Sequence, residues 1–109
     1  MIKKIFSLSL LSLCFSFKAD KSNLVCTATW YDTSGHPKVH REHSTAAFNL
    51  YPRGTMLLVK NLSNNKVDTV EVTDKHNAGH NHIDLSKTSF SKLASLKQGR
   101  IKVSVEKIN

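Results

Sequence analysis

A chain of 109 residues with 39% hydrophobic and 22% charged residues has the composition of one small globular domain. This composition excludes a collagen-like, low-complexity or multi-domain protein. The formal net charge of +8 is compatible with binding to nucleic acid, to an anionic membrane surface or to an acidic polysaccharide. The basic residues are scattered and no nucleic-acid-binding motif accompanies them, so a nucleic-acid partner is not expected.

The N-terminus, MIKKIFSLSLLSLCFSFKA, has the pattern of a secretory signal: two lysines precede a short apolar run. This run is too short to span a bilayer comfortably, so a stable membrane span is not expected. We predict a signal peptide over residues 1–19, a short linker over 20–24 and one domain over 25–109. The protein is therefore expected to be exported to the periplasm or cell envelope, or secreted.

Both cysteines lie in the first quarter of the chain. Cys14 falls in the predicted signal peptide, where the sequence faintly resembles a lipoprotein box. Leu13 stands where such a box normally has a small residue, so lipid anchoring at Cys14 is the weaker alternative. Cleavage of the signal peptide would leave Cys26 without an intrachain partner. Because Cys26 lies in an alternating strand pattern, we predict a small buried residue rather than a catalytic thiol.

Alternating apolar and polar residues predict most of the domain as short strands. A polar loop follows the first strand to Ser44, and the turn Ser63–Asn65 joins two strands that should pair antiparallel. The segment Thr45–Leu50 is ambiguous. The predicted strands are Val25–Tyr31, Thr55–Leu62, Val67–Thr73 and Ile101–Lys107.

One short helix is predicted before the last strand. Ser86 can cap it, because a serine hydroxyl accepts a hydrogen bond from a free backbone N–H of the first turn. Phe90 and Leu93 would form its inner face with Ala94 and Leu96, and Gly99 suits the end of the segment. Without a strand–helix–strand rhythm, this order of elements predicts a small, mostly antiparallel barrel or sandwich.

The segment DTVEVTDKHNAGHNHIDLS, residues 68–86, carries the most informative polar residues. A strand ends on Asp74, a histidine-rich loop follows, and apolar sequence resumes at Ile83 beside Asp84. Two carboxylates at the ends of one loop suit acid/base chemistry on a polar polymer. The alternative is structural: Asp74 would end a turn, and Asp84 would help to cap the helix.

The order and spacing of several motifs resemble the double-psi β-barrel family that includes the rare lipoprotein A (RlpA) domain and the expansins. This resemblance implies a mostly β fold: a small six-stranded double-psi β-barrel with one or two short helices after the signal peptide. The motifs are Ala28-Thr-Trp-Tyr31, Thr45-Ala-Ala47, Pro52-x-Gly54-Thr55, Val59-Lys-Asn-Leu62, Val72-Thr-Asp74, Ile83-Asp-Leu-Ser86 and Phe90-x-x-Leu93 with Gly99.

For the RlpA branch, the resemblance implies lytic cleavage of peptidoglycan glycan strands, with Asp74 as the catalytic acid. In expansins and the related family 45 glycoside hydrolases, the aspartate of a His-x-Asp-Leu motif matters most. That motif is His82-Ile-Asp84-Leu85 here. Asp74, partly shielded from water, would act first as acid and then as base for the sugar's own hydroxyl, so no water nucleophile is required. No cofactor is expected.

One position departs from the family pattern. A histidine usually follows the Thr-Ala-Ala segment, and this chain has Phe48. If that histidine assists catalysis, the protein has lost or replaced it. A non-catalytic, expansin-like module that binds wall polysaccharide is therefore the alternative function.

Trp30 and Tyr31 offer flat faces of the kind on which sugars stack. Neighbours on a strand face opposite sides, so one is expected in the core and the other in the groove, and the resemblance favours Tyr31 for the groove. Thr45 and His82 complete the predicted substrate contacts, and His82 could instead tune Asp84. The expected partner is peptidoglycan or another acidic wall polysaccharide, and the protein is expected to be a monomer. Four basic residues either line the approach of this polymer or belong to an ordinary solvated surface: Lys38, Arg41, Arg53 and Lys75.

Two histidine clusters raise the alternative of a zinc or copper site. Their spacing lies on loops and matches known ligand spacings poorly, so no metal is expected. A periplasmic metal-binding protein is the third and weakest interpretation. The clusters are His36, His40 and His43, and His76, His80 and His82.

Overall fold

The computed structural model describes residues 23–109. The predicted signal peptide, Cys14 and most of the predicted linker lie outside the described residues. The first strand begins at Leu24, one residue before the predicted strand start at Val25. Within the described range, no helix is both long and apolar enough to cross a membrane.

Six strands and two short α-helices form the described part of the chain. The strands are β1 (Leu24–Tyr31), β2 (Thr45–Phe48), β3 (Met56–Asn61), β4 (Val67–Asp74), β5 (His82–Ser86) and β6 (Ile101–Lys107). The helices are α1 (Lys38–Glu42) and α2 (Lys87–Leu93), and a 3-10 turn follows at Leu96–Gln98.

The strands close into one barrel in the order β1-β5-β2-β4-β3-β6. The pairs β1–β5 and β2–β4 are parallel, and the other four pairs are antiparallel. The predicted mostly antiparallel β fold and the predicted β3–β4 hairpin are therefore confirmed. The two parallel pairs are long-range contacts, and they bring the ends of β1, β2, β4 and β5 together.

The barrel interior is filled by one side of each strand. On β1, Cys26 and Ala28 face the interior, and on β5 Ile83 and Leu85 do the same. Cys26 is a buried free thiol whose pKa is raised by burial, as expected for an inert core residue. Residues 29 and 31 on β1 and residues 82 and 84 on β5 alternate with these buried positions. They therefore project to the outer side of the barrel wall.

Helix α2 covers the barrel as predicted. Ser86 caps it, and its hydroxyl accepts a 3.2 Å hydrogen bond from the Ser89 backbone N–H. Phe90 and Leu93 are fully buried against the barrel core. The left-handed conformation of Gly99, with φ of 66°, ends the 3-10 turn and returns the chain to β6.

Two elements differ from the sequence prediction. Helix α1 lies in the segment predicted as loop; it buries no residue and has no side-chain cap, so it leaves no apolar periodicity in the sequence. Strand β5 occupies residues predicted only as a return to apolar sequence before the helix. Its five residues are too few to establish a period.

Candidate functional site

A row of four paired residues crosses the outer side of the barrel wall. Asp84 on β5 pairs with Thr29 on β1 and, on its other side, with Ala47 on β2. Ala47 pairs in turn with Asp74 on β4. Residues opposite each other on neighbouring strands project from the same face of a sheet. The two carboxylates therefore face one side, with only a methyl group between them.

A β-bulge brings Asp74 into this row. Ala46 pairs with Val72, but the next residue, Ala47, pairs with Asp74, so β4 contains one extra residue, Thr73. If β4 continued without the bulge, regular alternation would turn Asp74 to the same side as Val72, which is buried in the core. Bulges often re-aim side chains next to functional sites.

Three residues of the row, Ala47, Asp74 and Asp84, form one wall of a cavity of about 170 Å³. The remaining groups come from Tyr31 at the end of β1, from the loop between β1 and β2, which includes α1, and from the loop between β4 and β5. Both predicted catalytic aspartates lie here, with Tyr31, as predicted for the groove. The lining residues are Tyr31, His36, His40, Ala47, Asp74, Lys75, His76 and Asp84.

Asp84 is partly buried and held by a hydroxyl. The Thr29 hydroxyl donates a 2.9 Å hydrogen bond to Asp84 Oδ1, and it also lies 2.8 Å from His82 Nε2. A threonine hydroxyl has one proton to donate, so it accepts from a protonated Nε2 of His82. The alternative in which Asp84 caps α2 is wrong, because Ser86 caps the helix and Asp84 lies on β5.

Thr29 links His82 to Asp84 by hydrogen bonds. Partial burial lowers the pKa of His82, and the neighbouring His76 adds to this effect, while the Asp84 carboxylate opposes it. The neutral imidazole is thereby favoured, with its proton on Nε2. The His82 side chain is thus placed to orient Thr29 and Asp84 from behind the cavity.

Asp74 has a different environment. Its side chain is 65% exposed, and its Oδ1 lies 3.5 Å from Arg53 Nη2. The same oxygen accepts a 2.9 Å hydrogen bond from the Lys75 backbone N–H. The sequence-based expectation of a shielded Asp74 is therefore wrong, because Asp74 is the last residue of β4 and lies at the rim of the cavity.

Tyr31, Thr45 and His40 form a closed hydrogen-bonded triangle. The Tyr31 hydroxyl lies 2.9 Å from Thr45 Oγ1 and 3.1 Å from His40 Nδ1, and Thr45 Oγ1 lies 3.0 Å from the same nitrogen. Thr45 is 1% exposed, so this predicted substrate contact supports Tyr31 from below instead of lining the cavity. Burial raises the pKa of Tyr31, and the Asp84 and Asp74 carboxylates raise it further against the Thr45 hydrogen bond. The phenol is therefore a stable proton donor.

The sequence did not single out His36 and His40 as cavity residues beside the carboxylates. Their rings pack against Tyr31 at centroid distances of 5.2 and 6.1 Å, His36 tilted and His40 edge-on. Their only signal in the sequence was the cluster with His43, which we considered as a metal site. Helix α1 carries His40 to Tyr31, and this contact depends on tertiary structure alone.

His76 is fixed in one tautomer. Its Nε2 lies 2.8 Å from the His82 carbonyl oxygen, which can only accept, so Nε2 is protonated. Its Nδ1 then accepts a 3.0 Å hydrogen bond from the Ala78 backbone N–H. The Asn49 side chain clamps the His76 backbone with hydrogen bonds of 3.0 and 2.9 Å. His76 therefore shapes the cavity, and its ring nitrogens are already used.

A sequence profile described as lytic transglycolase, of the double-psi β-barrel type, matches residues 24–105. The chain belongs to the RlpA-like double-psi β-barrel family. No curated protein matches the chain significantly.

Solved structures share this RlpA-like fold at low sequence identity. The apo expansin of Clavibacter michiganensis matches 81% of this chain and 51% of its own, with 22% identity and a TM-score of 0.69. A mutant Clavibacter michiganensis expansin in complex with cellohexaose has the same coverage, with 20% identity and a TM-score of 0.66. A papain inhibitor from Streptomyces matches 81% of this chain and 96% of its own, with 23% identity and a TM-score of 0.65. The RlpA-like chain thus spans about half the length of the expansin structures.

Phe48, where a family histidine was expected, faces the interior of the RlpA-like barrel. It is fully buried, pairs with Ile83 and packs against the Tyr51 ring at a centroid distance of 6.1 Å. Ala47 and Phe48 are neighbours on β2 and therefore face opposite sides of the wall. In this chain, position 48 cannot present a side chain to the cavity.

Trp30 does not line the cavity of this RlpA-like domain. Its indole Nε1 donates a 3.1 Å hydrogen bond to the Leu96 carbonyl oxygen, and its ring packs against the core. This arrangement agrees with the expectation that one of the two aromatic neighbours lies against the core and the other in the groove. The predicted contact of Trp30 with substrate does not occur in this cavity, because Trp30 does not line it.

The two histidine clusters do not form a set of metal ligands in the described part of the chain. Within residues 23–109, no three His, Cys, Asp or Glu side chains are arranged to hold a metal ion. His43 and His80 are exposed and lie outside the cavity lining. The remaining four histidines lie around the two carboxylates, with hydrogen-bond and ring contacts to protein groups.

Proposed function

We propose that this RlpA-like protein is exported and cleaves the glycan strands of peptidoglycan as a lytic transglycosylase. The observation that carries this proposal is the pair of carboxylates, Asp74 and Asp84, on either side of Ala47 in one cavity. The description of the matching family supports the same activity. Export rests on the predicted signal peptide.

Asp84 is the better candidate for the acid, because it is the more shielded carboxyl and Thr29 holds it in place. It donates its proton to the glycosidic oxygen as the bond from that oxygen to the anomeric carbon breaks. Positive charge develops on the sugar ring, and the Asp74 carboxylate stabilises it from the rim. Asp74, the first choice from sequence, thus takes the second role.

The second half of the reaction uses the same carboxyl. A hydroxyl of the cleaved sugar bonds to its own anomeric carbon and loses its proton to the Asp84 carboxylate. The products are an anhydro sugar end and a free hydroxyl end, and Asp84 is protonated again.

His40 places an imidazole in the cavity, whereas Phe48 is buried in the core. Its Nδ1 is tied to Tyr31 and Thr45, and within the described part of the chain its Nε2 has no hydrogen-bond partner. The ring lines the cavity that holds both carboxylates. His40 is therefore assigned to substrate binding and orientation through Nε2.

The decisive experiment incubates the protein with peptide-stripped glycan strands and searches the products by mass spectrometry for anhydro-muramyl ends. The wild type should produce them, and Asp84→Asn should abolish them. Glu71→Gln is the matched control, because it neutralises an exposed carboxylate on β4 away from the cavity lining. Unchanged product formation by Asp84→Asn would refute the assignment of the acid.

The alternative is a non-catalytic module that binds wall polysaccharide. Two observations favour it: Phe48 is buried, and Asp74 is exposed beside Arg53. The solved expansin in complex with cellohexaose has the same fold. Retained binding to glycan strands with no anhydro ends in the wild type would establish this alternative and overturn the enzymatic proposal.

A further inference from the structure

A second and larger groove, of about 420 Å³, lies beside the carboxylate cavity. The segment between β1 and β2 contributes to both. His36 and His40 line the cavity, whereas Arg41 lines the groove with residues 32–34 from the start of the same segment. The first turn of α2 completes the groove through Lys87 and Thr88.

Two cations of the groove are held in place by neighbouring groups. Arg41 Nη1 donates a 2.6 Å hydrogen bond to the His36 carbonyl oxygen. The Lys87 ammonium lies 5.9 Å from the centroid of the Trp30 ring, within the range of a cation–π contact. Such contacts reduce the freedom of long side chains and so lower the entropy cost of binding an anion.

Apart from Leu96, the remaining lining of the groove is polar. Asp32 is its one carboxylate, and Asp32 Oδ1 accepts a 3.0 Å hydrogen bond from the Ser34 backbone N–H. The Thr88 hydroxyl donates a 2.8 Å hydrogen bond to the Arg41 carbonyl oxygen, which ties α1 to α2 across the groove. Two cations, one carboxylate and several hydroxyls suit a sugar that carries an anionic group better than a neutral sugar.

We propose that this groove binds the carboxylate-bearing sugars of the wall glycan, with Arg41 and Lys87 receiving the carboxylate. The last two residues of β1 connect the groove to the carboxylate cavity. Tyr31 lines the cavity, and Trp30 contacts Lys87 and Leu96 of the groove. A glycan strand that crosses the α1 segment would occupy both. This inference rests on the proposed wall-glycan substrate, but it does not require cleavage.

The test compares two tetrasaccharides on the Asp84→Asn protein, which removes turnover from the binding measurement. One alternates N-acetylglucosamine with N-acetylmuramic acid and carries lactyl carboxylates; the other, chitotetraose, has the same backbone without them. Calorimetry should give tighter binding of the acidic tetrasaccharide, with a preference that decreases as salt is added. In NMR spectra, the backbone amides of Thr33, Ser34 and Thr88 should shift with the acidic tetrasaccharide and not with chitotetraose.

Arg41→Gln/Lys87→Gln should lose about fivefold to tenfold in affinity for the acidic tetrasaccharide, as expected for two exposed charge contacts. Binding of chitotetraose should not change. Lys66→Gln/Lys107→Gln is the matched control, since it removes the same charge from exposed lysines outside the groove. Arg41→Lys and the single variant Lys87→Gln are the controls for local unfolding. Arg41→Lys keeps the charge, and Lys87→Gln leaves the Arg41 hydrogen bond intact.

Equal losses in the groove and control variants, or equal affinity of the wild-type groove for both tetrasaccharides, would overturn the inference. The proposed cleavage is judged separately by anhydro ends. If binding depends on the groove but the wild-type protein produces no anhydro ends, only the lytic activity is refuted. If the wild-type protein produces anhydro ends but the acidic tetrasaccharide is not preferred, only the groove proposal is refuted.

Discussion

The Thr29 hydroxyl donates a 2.9 Å hydrogen bond to the Asp84 carboxylate, and the two residues are directly paired across β1 and β5. His82 donates to the same hydroxyl from 2.8 Å, so the order of donors is His82, Thr29, Asp84. The parallel pairing of two strands therefore fixes the position of the proposed acid. Thr29 is a positioning residue, since it touches Asp84 and does not line the cavity.

Replacing Thr29 by valine removes the hydroxyl and keeps the side-chain shape. We expect turnover to fall about tenfold, the effect of one hydrogen bond of about 1.4 kcal/mol, with little change in KM. Thr29→Ser should restore turnover. An equal loss in Thr29→Ser, or a loss in KM alone, would contradict the positioning role.

Ala47 is the only residue between the two aspartates in their row, and it is 7% exposed. Ala47→Val would place two more methyl groups there. Valine suits a strand, so we expect the free energy of unfolding to change by less than about 1 kcal/mol. Glycan binding and cleavage should both fall at least tenfold. Ala47→Ser introduces a smaller side chain than valine and should retain most binding. Full activity of Ala47→Val would show that the substrate does not pass between the carboxylates.

Tyr31→Phe removes the hydroxyl but keeps the ring that packs against His36. Thr45 and His40 still hydrogen-bond each other at 3.0 Å, so the free energy of unfolding should fall by about 1 kcal/mol or less. Because the pKa of Tyr31 is raised, the phenol donates at all physiological pH values. The variant should therefore weaken glycan binding by a similar factor from pH 6 to pH 9. Calorimetry at several pH values measures this factor, and unchanged binding would remove Tyr31 from the proposed site.

Much of the fold could be predicted because long strands carry long patterns. β1, β4 and β6 have seven or eight residues each, and their alternation identified them within one residue. β2 and β5 have four and five residues, and α1 buries nothing, so local sequence could not define them. The resemblance to a known family supplied what these short elements lack.

The site was predicted in part for a related reason. Asp74, Asp84 and Tyr31 came from motifs, and all three line one cavity. The contribution of His40 could not be predicted, because it depends on how α1 packs beside Tyr31. The Thr73 bulge was also invisible: it changes the register between β2 and β4 without altering the alternating pattern of either strand.

The lowered pKa of His82 makes the stability of the domain depend on pH. The unfolded chain binds a proton near the ordinary histidine value of 6.5, whereas the folded chain binds it only at lower pH. The unfolded state therefore holds more protons in this window, and the contribution of His82 to stability is lost as pH falls below about 6.5. Thermal unfolding midpoints should drop between pH 7.5 and pH 5. His82→Gln should show a smaller drop, and His80→Gln, at an exposed position, should match the wild type.

Phe48→His tests whether restoring the family histidine restores or improves activity. β2 turns residue 48 into a fully buried position among apolar groups, while Ala47 faces the cavity. An imidazole there loses the packing of the phenylalanine ring and buries polar nitrogens, so we expect a loss of about 3 kcal/mol in the free energy of unfolding. Phe48→Leu, which stays apolar, should lose about half as much. Urea denaturation gives both values, and the anhydro-end assay on the folded fraction should show no gain for Phe48→His. A gain in activity would mean that residue 48 can reach the substrate and that His40 does not take its place.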